Sequence, residues 1–385
     1  MSEWQSTTLS EVCTTITYGY TASANLNGIG PKFLRITDIV PNQINWDSVP
    51  NCVANDKDIE KYKLRDGDIV IARTGATTGY NKYIKNLKHE AVFASYLIRY
   101  QIDTNKAFPE FVGHILQSSN WYDYVDAIAG GSAQPGANAK QLGSFELDLP
   151  PIEEQKAIAS VLSSLDDKID LLHRQNTTLE RMAETLFRQW FVEEAQEDWE
   201  EKPLSSIANF LNGLACQKFP PTDAVNKLPV LKIKELSSGI SENSDWATSN
   251  VKPEYIVENG DVIFAWSASL MVKVWDGETC VLNQHLFKVT SQEFPKWFYL
   301  QWCKYHLDEF ISISSSHATT MGHIKRGDLD TAMVKVPKPH ELELMTEQMT
   351  PLLEKQITNA KQIKTLEKLR DNLLPKLMSG EVRVS

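Results

Sequence analysis

The chain has 385 residues, 42% of them hydrophobic and 23% charged, an ordinary soluble composition with length enough for two or three domains. Its 39 basic residues against 50 acidic ones leave a net charge of −11, which taken alone argues mildly against a nucleic-acid binder. Apolar runs fall short of membrane-spanning length, the opening MSEWQSTTLSEV lacks a basic-then-apolar leader, and Cys13, Cys52, Cys216, Cys280 and Cys303 are scattered and never spaced C-x-x-C. These features predict a reducing cytoplasm, no membrane, no disulfide framework and no zinc site.

From the N-terminus, residues 1–149 read as a compact mixed domain. LSEVCTTITYG opens it, and PKFLRITDIV (31–40) is a strand-like run followed by a turn. In LRDGDIVIARTGATTGYNKYI (64–84) a polar turn leads into Ile69–Val70–Ile71 and then a glycine-punctuated loop. AVFASYLIRYQI (91–102) reads as a single further strand, and PEFVGHILQSSNWYDYV (109–125) has helical spacing. A small-residue loop, a short strand and the pair Pro150–Pro151 close the domain.

The stretch after Pro151 predicts a long helix. Ile158, Leu162, Leu165, Ile169, Leu172, Leu179, Leu186 and Trp190 alternate steps of four and three, with Asn176 in one seat and Ala183 in the next. Such a stripe cannot hide its own apolar face, so it predicts a partner helix, the alternative being a core helix of one globular domain. A buried Asn in the seam costs stability and sets register. Glu153 and Glu154 suit the positive end of the helix dipole. Acid gathers just beyond, in VEEAQEDWEEK (192–202).

The pattern then begins again. LSSIANFLNG (204–213) answers LSEVCTTITYG, LPVLKIKEL (228–236) answers PKFLRITDI, and Gly260–Asp261 falls over Gly67–Asp68. VLNQHLFKV (281–289) matches AVFASYLIRY, and residues 314–339 match the loop, strand and proline close of the first copy. A second helical segment ends the chain, striped by Leu342, Met345, Met349, Leu352, Ile363, Leu366, Leu373 and Leu377. Gln356, Asn359 and Arg370 fall on the same line, and Pro351 and Pro375 are expected to kink or bound the helix. The fold class is therefore α+β: two pseudo-repeated globular domains, 1–149 and 200–337, separated by two long antiparallel coiled-coil helices in 150–199 and 338–385. About 40 helical residues make a spacer on the order of 60 Å.

The repeated Gly-Asp-Ile/Val turn, the close LDLPPIEEQKAIASVLSSLDDKID and the terminal LLPKLMSGEVRV resemble the specificity subunits of type I restriction-modification systems, over essentially the whole chain. Pro351 inside the second helical region is a departure. The resemblance implies that each copy is a target recognition domain reading half of a bipartite, asymmetric site in double-stranded DNA. It implies further that the helical regions bind two methyltransferase (M) subunits, joined by two restriction (R) subunits. S-adenosylmethionine, ATP and Mg would then sit on those partners, with no cofactor in this chain. The alternatives are a stand-alone tandem DNA-binding or scaffold protein, and an enzyme with an unrecognised site.

A search for catalytic chemistry finds none. Lys218-Phe219-Pro220-Pro221 and Asp148-Leu149-Pro150-Pro151 do not make the Asn/Asp-Pro-Pro-aromatic loop of a base-amino methyltransferase. AGGSAQPGA lacks both G-x-G-x-x-G spacing and a P-loop Lys-Ser/Thr. Asp66, Asp68, Asp166 and Asp167 read as turn and helix-surface residues. DNA readout calls for cationic and amide side chains on loops. In the first copy these are Arg73, Thr74, Thr77 and Lys82, then Ser132, Gln134, Asn138 and Lys140. In the second they are Trp266, Ser267, Ser269 and Lys273, then His317, Thr319, Thr320, His323, Lys325 and Arg326. For each residue a solvated or turn-forming role competes with a base contact. His317 and His323 read as loop or surface residues before ligands, and Gly75 and Gly79 as turn residues.

Overall fold

The computed structural model describes residues 4–25, 28–41, 43–129, 136–316 and 322–384. The chain falls into two compact units, Met1–Asp170 with Glu367–Ser385, and Leu171–Leu366. Both long helices are divided between the units, so each unit holds a sheet domain together with parts of both helices.

Among the described residues the first unit has ten strands: β1 (Gln5–Thr8), β2 (Cys13–Tyr18), β3 (Ala24–Asn25), β4 (Lys32–Leu34), β5 (Asn51–Cys52), β6 (Asp68–Ala72), β7 (Asn81–Tyr83), β8 (Ala91–Phe93), β9 (Leu97–Ile102) and β10 (Glu146–Leu149). An antiparallel sheet runs β2-β9-β6-β7, a second runs β3-β5-β4-β8 with β4 and β8 parallel, and β1 pairs with β10. Gly67, at φ +94, makes the turn into β6. All five residues of β6 are buried because both faces of its sheet are covered. Ile69 and Ile71 join one core with Phe111 and Trp121, while Val70 and Ala72 join another with Leu34 and Phe93. The helices α1 (Pro109–Ile115), α2 (Ser119–Ala129) and α3 (Ala139–Gly143) follow the sheet.

The second unit repeats this plan with β11 (Glu200–Pro203), β12 (Asn209–Asn212), β13 (Lys227–Leu231), β14 (Trp246–Thr248), β15 (Ile256–Val257), β16 (Val262–Ala265), β17 (Met271–Val274), β18 (Cys280–Leu282), β19 (Leu286–Thr290) and β20 (Met333–Val336). Its sheets run β12-β19-β16-β17 and β14-β13-β18-β15, with β13 and β18 parallel and β11 paired with β20. Gly260, at φ +97, stands where Gly67 does.

One expectation is corrected in both copies. The apolar run 91–102 is two strands in two different sheets, β8 and β9, and 280–290 likewise gives β18 and β19. A turn separates them, closed by Leu97 N–H on Ala94 O at 2.8 Å and by Leu286 N–H on Asn283 O at 3.0 Å. The turn is only two residues long, Ser95–Tyr96 and Gln284–His285, and the strands on either side are buried, so in the first copy the run reads as one continuous apolar and aromatic stretch.

The first long helix, α4 (Ile152–Arg188), ends in a π turn, Gln189–Glu193. Buried Gln155 anchors its start, accepting from Phe108 N–H and donating to Pro150 O, both at 2.8 Å. In the first unit Ile158 and Leu162 of α4 pack with Leu377 in the domain core. Each such buried side chain contributes about 1.5–3 kcal/mol. In the second unit Ala183 and Phe187 pack with Met349 and Leu353 against Phe264, Phe298 and Trp302.

After α5 (Lys296–Tyr305), α6 (Leu307–Ser316) and α7 (Arg326–Thr331), the second long helix, α8, runs unbroken over Pro339–Met378. Pro351 and Pro375 therefore do not bound it. Pro351 is exposed, and the neighbouring buried Met349 and Leu353 hold that turn in the domain core despite its missing N–H.

Along the seam Ile169, Leu172 and Ile363 are buried, while Leu165, Leu179, Leu186, Leu352, Leu366 and Leu373 are half-buried. Asn176 does meet a polar seat opposite. It donates to Gln356 O at 3.2 Å and accepts from Asn359 Nδ2 at 2.9 Å.

Candidate nucleic-acid interface

In the first copy β6 ends at Ala72 and the chain enters a 3-10 turn, Gly75–Thr77. Gly75 and Gly79 adopt φ +74 and +89, as turn geometry requires. The loop hydroxyls are spent locally: Thr77 Oγ1 donates to Thr74 O at 3.3 Å and Thr78 Oγ1 to Gly75 O at 2.7 Å. Trp121 Nε1 donates to Gly79 O at 2.8 Å and fixes the far end of the loop to α2.

A second loop comes alongside. Thr74 forms a β-bridge with Gly136, and Ala137 N–H donates to Arg73 O at 3.0 Å. Arg73 places its guanidinium 5.2 Å over the ring of Tyr18, the last residue of β2, and donates through Nε to Ser95 O at 3.2 Å. The Tyr18 hydroxyl accepts from Ala139 N–H at 3.0 Å, so this one ring touches both loops. Tyr18 and Tyr96 are 43% and 57% exposed, a wet aromatic edge beside a cation.

The second copy builds the same junction from other side chains. Ser267 bridges His323, Ala268 N–H donates to Gly322 O at 2.8 Å, and Ile324 N–H donates to Trp266 O at 3.0 Å. Trp266 stands where Arg73 does. Its Nε1 donates to Asn212 Oδ1 at 3.0 Å, and Asn212, the last residue of β12, stands where Tyr18 does. The indole stacks on Phe287 and lies near His285 and His323. Ser267 is buried, its Oγ 3.1 Å from His285 Nδ1.

The strand ends are placed identically because a glycine follows each. A Cβ at Gly19 would lie 2.1 Å from Ala94 O, and one at Gly213 would lie 2.3 Å from Asn283 O.

The remaining candidates lie elsewhere. Lys82 and Lys273 occupy equivalent positions on β7 and β17 and are not among the loops. Burial lowers the Lys82 pKa, Asp166 opposes that and Arg370 adds to it, which places its ammonium in the field of the helices. Lys273 pairs with Asp276 at 3.1 Å. Asn138 caps α3, accepting from Gln141 N–H at 2.9 Å, and Lys140 is exposed on the same helix. Lys325 N–H donates to Asp328 at the start of α7 at 2.7 Å. Arg326 lines a shallow groove with Asn209, Ser291 and Asp330. Ser269 is exposed beside Ala268, a non-glycine at φ +57. Ser132, Gln134, His317, Thr319 and Thr320 lie outside the described residues.

The carboxylates are structural. Asp68 is buried and 3.8 Å from Arg99, Asp166 pairs with Arg370 at 3.0 Å and Asp167 with Lys85 at 2.6 Å. Asp68 is thus a core residue, not only a turn residue. Among the described residues no three His, Cys, Asp or Glu side chains gather as a metal site, and all five cysteines are free. Sequence reasoning missed Tyr18, Tyr96, Asn212 and His285. The repeat itself held the signal, since aligning the copies pairs 18 with 212 and 96 with 285.

A sheet domain present twice, with two adjoining loops at the end of the same strands in each copy, defines a duplicated α+β recognition fold. The profile of the type I restriction modification DNA specificity domain matches residues 1–181 and 196–368, and the chain belongs to that family. The type I restriction enzyme MjaIX specificity subunit of Methanocaldococcus jannaschii is 29% identical over 71% of this chain and 69% of its own. The HindI specificity subunit of Haemophilus influenzae is 19% identical over 99% of this chain and all of its own. The crystal structure of a type I restriction-modification S subunit from M. genitalium shares the fold at TM-score 0.60 and 14% identity, covering 98% of this chain and 96% of that one. No helix among the described residues is long and apolar enough to cross a membrane.

Proposed function

We propose that this chain is a non-catalytic, cytoplasmic specificity subunit that recognises a bipartite, asymmetric DNA site, one half through each sheet domain. Its long helices dock two methyltransferase and two restriction subunits, and S-adenosylmethionine, ATP and Mg are bound by those partners. The observation that carries this reading is the duplicated loop junction. Identical backbone bridges hold different side chains, Tyr18 and Arg73 in one copy and Asn212 and Trp266 in the other. One scaffold with two chemistries is what two unlike half-sites require. A net charge of −11 is compatible with DNA binding if partner subunits supply phosphate neutralisation.

Replacing residues 204–336 with the matching domain of a relative is the test, read by sequencing the methylated sites of a genome carrying the chain and its methyltransferase. One half of the methylated sequence changes and the other stays. An unchanged sequence, or a change in both halves, overturns the reading.

A further inference from the structure

Resting on that reading, we propose that residue 18 with residue 73, and residue 212 with residue 266, are the specificity-determining pairs of the two half-sites, and that each is held so as to present hydrogen-bond donors to a base. In the first copy the donor is Arg73. The bond to Ser95 O uses its inner Nε, and among the described residues its forked Nη end has no other partner. Tyr18 is a positioning residue. Its ring lies under the guanidinium while its hydroxyl is tied to Ala139 N–H, so the ring cannot swing away without breaking that bond.

In the second copy the donor is Asn212. The indole Nε1–H can only donate, so the amide must turn its oxygen to Trp266 and present its NH2 outward. An amide held this way offers both NH2 protons but only one remaining lone pair, the other being taken by the indole, so its outward face is chiefly a donor. It matches an acceptor edge, as does the Arg73 fork: guanine O6/N7, or thymine O4 for the single amide. Trp266 is thus to Asn212 what Tyr18 is to Arg73, with the donor and its holder exchanged between the two positions.

The test uses the full chain with its methyltransferase and reads the base preference at every position of the methylated site. Asn212→Asp keeps an acceptor for the indole but replaces the outward donors with an acceptor. It shifts the preference at one position of the second half-site towards cytosine, whose N4 amino group donates. Trp266→Phe removes the indole N–H, frees the amide to turn over, and raises the acceptance of adenine relative to the parent at that same position. Arg73→Ala loses discrimination at one position of the first half-site by roughly 5- to 150-fold, the range of a single base contact. Tyr18→Ala gives a smaller loss at that position, and Tyr18→Phe, which keeps the ring but not the bond to Ala139, a smaller one still. Thermal unfolding of each variant separates misfolding from altered reading. Folded variants with unchanged preference at every position, or with uniform weakening across all sequences, overturn the proposal. The recognition reading itself stands or falls separately, on the replacement of residues 204–336.

Discussion

His114 shows how one buried group couples the first domain to its helices. Ser163 has a single hydroxyl proton and gives it to Glu110 at 2.7 Å, so at 3.0 Å it accepts from His114 Nε2–H. Asp166 lies 3.8 Å from the other ring nitrogen. Serine, histidine and aspartate thus meet, but the histidine donates to the serine, the reverse of what a nucleophile needs. Burial lowers the His114 pKa, with Asp166 and Glu110 opposing and Lys85 and Arg370 adding to the shift. The folded state therefore binds this proton less readily than the unfolded one. Stability is full above the unfolded value of about 6.5 and is lost as pH falls below it. Thermal unfolding between pH 8 and 5 should show this loss, and His114→Gln should flatten it. An equally steep loss in the variant would mean that other groups carry it.

Among the elements, the helix seam in the second unit turns on one polar seat. Asn359 is fully buried and donates to Asn176, yet its own Oδ1 has no partner among the described residues. A half-satisfied amide pair costs stability relative to leucine and favours the one register in which the two amides meet. Asn359→Ala strands Asn176 and should lower stability by about 1–3 kcal/mol. Leucine at both 176 and 359 should restore or exceed the original stability. Urea unfolding midpoints measure both variants. A midpoint unmoved by Asn359→Ala would show that the amide pair carries no energy. Leucines alone set register weakly, and the amide pair adds a preference to that imposed by Ala183, Phe187, Met349 and Leu353 in the domain core.

For the whole molecule, the proposed division of labour predicts what the isolated chain does not do. It has neither a glycine-rich cofactor turn nor a P-loop, Asp68, Asp166 and Asp167 lie in structural pairs, and Asp66 accepts from Leu87 N–H. Titration calorimetry of the pure chain should therefore detect no binding of S-adenosylmethionine or ATP. Micromolar affinity for the methyl donor would restore an enzyme reading.

The duplication, the helix stripes and the polar seat at Asn176 were legible in the sequence because each is periodic, and periodicity survives without knowledge of contacts. The break between β8 and β9 was not legible, because a two-residue turn of serine and tyrosine interrupts the apolar run too briefly to be told from a strand's outward-facing positions. Nor were the partners of the loop residues. Lys82 and Arg73 look alike in a sequence, both cations in one glycine-rich stretch. The hairpin of β6 and β7 places Lys82 in the field of the helices, while Arg73 stays at the strand end over Tyr18. Asn138 reads as an amide free to meet a base, and in the fold it caps a helix. Pairing of residues 55 positions apart, such as Tyr18 with Arg73, is set by sheet register and by the close passage of Gly19 over Ala94 O. These are long-range facts of packing, and no local pattern encodes them.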